Sequence, residues 1–168
     1  METLMFDYEI IVDHKESDKK CTILPLKERP DFHIRFFNTG EKLTPLTSQV
    51  LLHHEGVSLD EFSKTKKVEV TKIAALDSFW RRLEKILENI TGNLPELVKI
   101  PHGFLTAYPR KSKDGSDPDG GLATIEAIFI AAAFLGNWDE SLLDKYYFKD
   151  KFLEINKPIF EKYKISPK

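Results

Sequence analysis

Apolar residues in the first half of the chain fall in short runs closed by polar breaks, as strands do, whereas further on they recur at helical spacing. Residues 6–12, Phe-Asp-Tyr-Glu-Ile-Ile-Val, predict a strand closed by the polar run 13–20, and residues 32–37 predict the next. A loop through Gly40 and Pro45 leads to an expected short helix over residues 48–54. Residues 68–76, with β-branched content, predict another strand. The order alternates β and α, which points to an α/β fold.

Beyond Asp77 the apolar positions Trp80, Leu83, Ile86, Leu87 and Ile90 predict a helix, with Asp77 or Ser78 as its cap and Gly92 just past its end. The opposite face carries Arg81, Arg82, Lys85 and Glu88. Residues 98–107, interrupted by Pro101 and Gly103, predict one strand or two short ones, and residues 110–121 form a polar loop. Residues 124–135 are apolar on almost every side and stop at Gly136, the pattern of a helix covered all round, with Glu126 as its only charge. Helices are expected over 140–147 and 151–163, with Pro158 bending or dividing the last. No internal repeat and no long linker interrupts the 168 residues, so one domain is expected.

Composition narrows the function classes. The single cysteine, Cys21, has no partner in the chain, which removes disulfide frameworks and makes a reducing, cytoplasmic setting the expectation. The longest apolar run, residues 127–136, is about half of the roughly 20 residues a bilayer requires, so no membrane partner is expected. A net charge of -2 lacks the overall basic footprint of a nucleic-acid binder, and any such role must rest on local patches. His53 and His54 are adjacent, which should point their rings apart, and neither has a zinc-like spacing with Cys21 or His102, so no metal is expected. Glycine-rich dinucleotide fingerprints, a P-loop and a Gly-x-Ser-x-Gly elbow are all missing.

The segment 72–80 carries the candidate chemistry. It delivers Asp77 and Trp80 to the carboxyl end of a strand, where open α/β sheets bind ligands, and so offers an acid and an indole face to a flat or cationic ligand. Structural alternatives stand beside that reading: Asp77 as a helix cap, Trp80 as core. Thr124 begins a helix whose amino-terminal amides suit an anion, and its hydroxyl either caps that helix or reaches a ligand. Glu126, a lone charge on an apolar helix, must be paired or near a cleft; a structural hydrogen bond is the reading preferred over a catalytic one.

Five blocks, in order, resemble the S-adenosylmethionine-dependent aminocarboxypropyltransferases of small-subunit ribosomal RNA, and more distantly the DTW-domain proteins that modify tRNA. Asp13 with Asp18-Lys19-Lys20-Cys21-Thr22 is similar to the family's Asp-Pro-Lys-x-Cys-Thr, and Leu43-Thr44-Pro45 to its Leu-Ser-Pro. Asp77-Ser78-Phe79-Trp80 resembles its Asp-x-Ser/Thr-Trp, Leu122-Ala123-Thr124-Ile125-Glu126-Ala127 its Leu-Ser-Thr-hydrophobic-Glu-Ala, and Phe152-Leu153-Glu154-Ile155-Asn156 its Phe-Leu-Glu-x-Asn. Phe79 departs from the pattern, as does Tyr108-Pro109 where the family has Asn-Pro.

The resemblance implies a SPOUT-like α/β fold with a carboxyl-terminal deep trefoil knot, its cofactor-binding portion following an amino-terminal portion that ends near residue 68. It implies a monomer that binds S-adenosylmethionine and transfers the 3-amino-3-carboxypropyl group to a uridine-type base of structured rRNA or tRNA. Cofactor contacts are implied for Thr22, Trp80, Leu105, Thr106, Leu122 and Thr124: Trp80 around the methyl group, Thr124 on the carboxylate, Leu122 on the adenine, and backbone groups of Leu105 and Thr106 on ribose and adenine. Asp77 would serve either as partner of the sulfonium or as general base. RNA would be held by Arg81, Arg82 and Lys85 and by the loop residues Arg110, Lys111 and Lys113. The alternatives are a SPOUT-type methyltransferase and a non-catalytic protein that keeps the cofactor pocket.

Overall fold

The computed structural model describes residues 6–14, 21–109 and 121–167. Its centre is a parallel sheet of five strands in the order β2-β1-β4-β3-β5: β1 Asp7–Asp13, β2 Phe32–Phe37, β3 Val50–Ser58, β4 Lys72–Asp77 and β5 Glu96–Lys99. The helices are α1 Leu59–Thr65, α2 Leu83–Asn89, α3 Thr124–Phe134 and α4 Lys149–Lys162. β1 lies between β2 and β4, with Ile10 beside both Ile34 and Ala75. A parallel strand is covered on both sides, which is why β1 reads as an apolar run and not as an alternation.

Each face of the sheet has its own core. Tyr8, Ile10, Val12, Val50, Ile73 and Ala75 pack with Phe129 of α3 and with Phe152 and Phe160 of α4. On the other face Ile11, Phe37, Leu51 and Ala74 pack with Ile86 of α2 and with Leu43, Leu46 and Ile90. Within α3 the buried residues include Ile125, Glu126, Ile128, Phe129 and Ala132, so its lack of an apolar face in sequence reflects enclosure on all sides. In α4 the buried positions Phe152, Asn156 and Phe160 are spaced by four, one stripe of an otherwise solvated helix.

Several expectations need correction. Residues 48–54 form no helix: Val50 and Leu51 pair with Ile73 and Ala74, and β3 continues to Ser58 beside β5. The ladder between β3 and β5 breaks after Leu52 and resumes at Val57. Within that bulge the backbone at Gly56 lies so near β5 that a Cβ would meet the Leu97 carbonyl carbon at 2.4 Å, which only glycine permits. The bulge also overturns the expectation for the histidines, because the rings of His53 and His54 stack, with centroids 4.4 Å apart and planes 22° from parallel. The Glu55 amide donates to His53 Nδ1 at 3.0 Å, and Glu84 Oε1 lies 3.1 Å from Nε2.

β5 ends at Lys99, so residues 100–107 are irregular, and the expected helix over 140–147 is only a 3-10 turn, Glu140–Leu143. α1, which the pattern did not announce, buries Leu59 and Phe62. α4 runs unbroken through Pro158, whose exposed position leaves the unpaired Glu154 carbonyl to water. No helix of the described residues is long and apolar enough to cross a membrane.

Candidate functional site

Three stretches meet at the carboxyl end of β4. Asp77, its last residue, is buried, and its side chain points to the face covered by α3 because Val12, its neighbour on β1, points there too. Thr124, first residue of α3, donates its hydroxyl to Asp77 Oδ1 at 2.6 Å, and the Cys21 thiol donates to Oδ2 at 2.8 Å. Next to them the Thr22 hydroxyl accepts from the Ile125 amide at 3.2 Å, tying the segment after β1 to the first turn of α3. Burial, and then the Asp77 charge, push the Cys21 thiol up to about 12, so sulfur is here a protonated donor and not a nucleophile.

Asp77 is not the cap of α2, whose N-cap position is Arg82, and its oxygens accept instead from residues distant in sequence. The buried Asp13 at the end of β1 braces the turn instead, accepting from the Ser78 hydroxyl at 2.7 Å and from the Arg82 guanidinium. Arg82, expected to hold RNA, is thus ion-paired to Asp13 and donates also to the Thr39 hydroxyl at 3.1 Å. Arg81 and Lys85 are exposed. Trp80 opens the 3-10 turn Trp80–Arg82 directly after the site. Arg110, Lys111 and Lys113 lie outside the described residues.

Leu105 and Thr106 are held through α4 and α3, Leu105 by its backbone and Thr106 by its hydroxyl. Asn156, buried in α4, receives the Leu105 amide on Oδ1 at 2.7 Å and donates Nδ2 to the Leu105 carbonyl at 2.8 Å. The Leu105 amide expected to meet a ligand is therefore spent; its side chain, 57% exposed, is what it presents. The Thr106 hydroxyl donates to Glu126 Oε1 at 2.7 Å. Glu126 accepts in addition from the amides of Ala107 and Ala123 and from the Tyr146 hydroxyl, at 2.9, 2.7 and 2.9 Å. The expected structural hydrogen bonding of Glu126 is what the geometry contains. Leu122, half-buried, packs against the core beside it.

Pattern reasoning gave Cys21 no partner and Asn156 no role, although both lie in blocks that carry the resemblance. Asn156 had a signal of its own, a polar residue in the register of Phe152 and Phe160. Chemically, the site offers acceptors. A hydroxyl has one proton, and that of Thr124 goes to Asp77, so its oxygen has only lone pairs for a ligand. In this arrangement the Thr124 hydroxyl donates to Asp77, and the buried carboxylate gives the site negative charge.

Taken together, the five parallel strands and the helices on both faces define an α/β protein that places a buried acid at the carboxyl end of a central strand, the end where open sheets of this kind bind ligands. The same fold is found in the solved structure of the SAM-dependent rRNA:acp-transferase Tsr3 from Vulcanisaeta distributa: TM-score 0.65, 18% identity, over 95% of this chain and 83% of that one. No protein-family model and no curated protein matches the chain.

Proposed function

We propose that this chain binds S-adenosylmethionine at the carboxyl end of β4 and transfers its 3-amino-3-carboxypropyl group to a uridine-type base of rRNA or tRNA. The observation that carries the reading is Asp77 fixed between Cys21 and Thr124, in a fold shared with an enzyme of that description. A buried carboxylate with two neutral donors can face a positively charged ligand, which fits the sulfonium and amino groups of this cofactor. The cofactor would supply an electrophilic carbon: a bond from the base nitrogen would replace the carbon–sulfur bond, whose electrons would leave with methylthioadenosine, and the nitrogen's proton would pass to solvent or to Asp77.

The chain's own part is positioning and charge. Asp77 serves as the sulfonium partner or as acceptor of the base proton, since each carboxylate oxygen keeps a lone pair beyond the donor it holds. Thr124 holds Asp77 in place and offers its oxygen to the amino group. The exposed Leu105 side chain and Leu122 line the adenine side, Thr22 and Thr106 stand by the ribose, and Trp80 encloses the methyl group, which selects the longer chain over the methyl for transfer. A SPOUT-like knotted carboxyl-terminal portion and a cytoplasmic location belong to the same proposal. Exposed Arg81 and Lys85, with Arg110, Lys111 and Lys113, supply the RNA contacts.

A second reading is a protein that keeps the cofactor pocket without RNA chemistry. The pairing of Arg82 with Asp13, which removes one cation from the RNA face, favours it. Calorimetry of the purified protein with S-adenosylmethionine, S-adenosylhomocysteine and methylthioadenosine, beside Trp80→Ala, tests both. Micromolar binding lost in the variant supports the site, and mass spectrometry of RNA incubated with protein and cofactor then separates the transferase from the binder. Binding of none of the three overturns the cofactor reading.

A further inference from the structure

Beyond Lys99 the chain leaves the sheet, yet the stretch that follows is held firmly from one side. Gly103 runs so close to α4 that a Cβ there would meet Ile159 Cδ1 at 2.6 Å, and the buried Phe104 stands edge-on to Phe160 with centroids 4.9 Å apart. Leu105 comes next, its side chain 57% exposed, and the Asn156 carboxamide engages its amide and its carbonyl together. Asn156 is fully buried, and with the bond from Nδ2 to the Phe152 carbonyl both of its N–H groups are used. It stands between Phe152 and Phe160 in the apolar stripe of α4, where a leucine would bury more apolar area and a carboxamide is tolerated only if its polar atoms are paired. What the carboxamide provides and a leucine cannot is a fixed partner for the backbone of an exposed residue.

The residues after Leu105 are held in the same manner from α3. Glu126 takes the Ala107 amide, and the Thr106 hydroxyl, which donates to Glu126, accepts from the Tyr108 amide at 3.0 Å. The amides of Leu105, Ala107 and Tyr108 are thus engaged, whereas the Thr106 amide and carbonyl have no hydrogen bond among the described residues. The stretch therefore presents the Leu105 side chain and the Thr106 backbone. It does so next to the acid, because Glu126 lies two residues from Thr124, the donor to Asp77.

We infer that Asn156 is a positioning residue for ligand binding: it fixes the Leu105 backbone so that the Leu105 side chain and the Thr106 backbone are arranged for the adenosine half of the ligand before that ligand arrives. This role rests on the S-adenosylmethionine reading and adds to it a residue that never touches the cofactor. A contact surface already ordered loses little entropy on binding, so loss of Asn156 weakens every ligand that carries adenosine, whatever its charge.

The test is calorimetry of the full chain with S-adenosylmethionine and with methylthioadenosine, which share the adenosine. Asn156→Ser should weaken both by roughly three- to tenfold, as expected when one side chain must be ordered on binding, at unchanged stoichiometry. A merely structural role would lower the folded fraction, and with it the stoichiometry, while leaving Kd unmoved. Leu105→Ala should weaken both ligands, and in that background Asn156→Ser should cost less than it does in wild type, because Asn156 acts through Leu105. Hydrogen exchange on the wild-type chain gives a readout that needs no variant to fold: the Leu105 amide should be protected in the free protein and stay so with methylthioadenosine bound. A wild-type Kd in Asn156→Ser, a loss confined to one ligand, full additivity with Leu105→Ala, or a Leu105 amide protected only in the presence of ligand each overturns the role of Asn156 while leaving the cofactor reading intact. Wild type that binds neither ligand removes that reading, and the role of Asn156 with it.

Discussion

The carboxamide of Asn156 pairs with the backbone of Leu105 as one peptide group pairs with another, receiving its amide at 2.7 Å and donating to its carbonyl at 2.8 Å. The same Nδ2 also reaches the Phe152 carbonyl at 2.9 Å, so α4 and the irregular stretch after β5 are joined through one buried side chain. Asn156→Asp places a second acceptor against the Leu105 carbonyl and should cost about 2 to 4 kcal/mol, an unsatisfied buried group having been created. Urea denaturation of both proteins measures it, and a midpoint unchanged within error would dismiss the clamp.

Cys21 gives the protein an alkaline limit. Its thiol is raised to about 12 in the folded chain from an ordinary value of 9.0. Unfolded chains therefore release this proton first, and stability from this group is complete below about pH 9 and falls as the pH rises toward 12. Burial raises the Tyr8 hydroxyl as well, which acts in the same direction from about pH 10 upward. Cys21→Ala should flatten the pH dependence of the melting temperature above pH 9; a slope identical to that of wild type would show that the thiol does not ionise on unfolding there.

Glu126 accepts four hydrogen bonds, from two amides and two hydroxyls, with no ion pair to it among the described residues. Glu126→Gln turns an NH2 group toward donors and should destabilise by about 2 to 4 kcal/mol, whereas a catalytic role would leave stability near that of wild type. Chemical denaturation followed by circular dichroism distinguishes the two.

Arg82→Ala should lower thermal stability, because the buried Asp13 loses its guanidinium partner. Its RNA affinity should stay close to that of wild type. Arg81→Ala, which removes an exposed cation, should weaken RNA binding. If Arg82→Ala were the variant that loses RNA, the ion pair would be dispensable and the exposed-cation assignment wrong.

Legibility in the sequence varied with the physical origin of each element. β1 and α3 were plain because burial dictates their composition, an apolar run for an enclosed strand and an apolar cylinder for an enclosed helix, whereas the edge strand β2 was marked by its aromatic and β-branched residues. β3 was not: Val50-Leu51-Leu52 after Ser48 has no period of two, since both faces are covered, and resembles the start of a capped helix. Asp77 stood out by position, but its partners Cys21 and Thr124 are separated from it by 56 and 47 residues, and only folding reveals that they take both oxygens. Such pairings, invisible in residue types alone, engage the Thr124 hydroxyl, the Leu105 amide and the Arg82 guanidinium within the fold.

The strand order also sets a timetable. β1 is synthesised before its inner neighbour β4, where Ala75 meets Ile10 roughly 65 residues later in the chain. At about 5 to 20 residues per second, synthesis leaves the apolar edge of β1 without that neighbour for roughly 3 to 13 s. During that interval β2 can pair with β1, while the other edge of β1 stays open to aggregation or a chaperone.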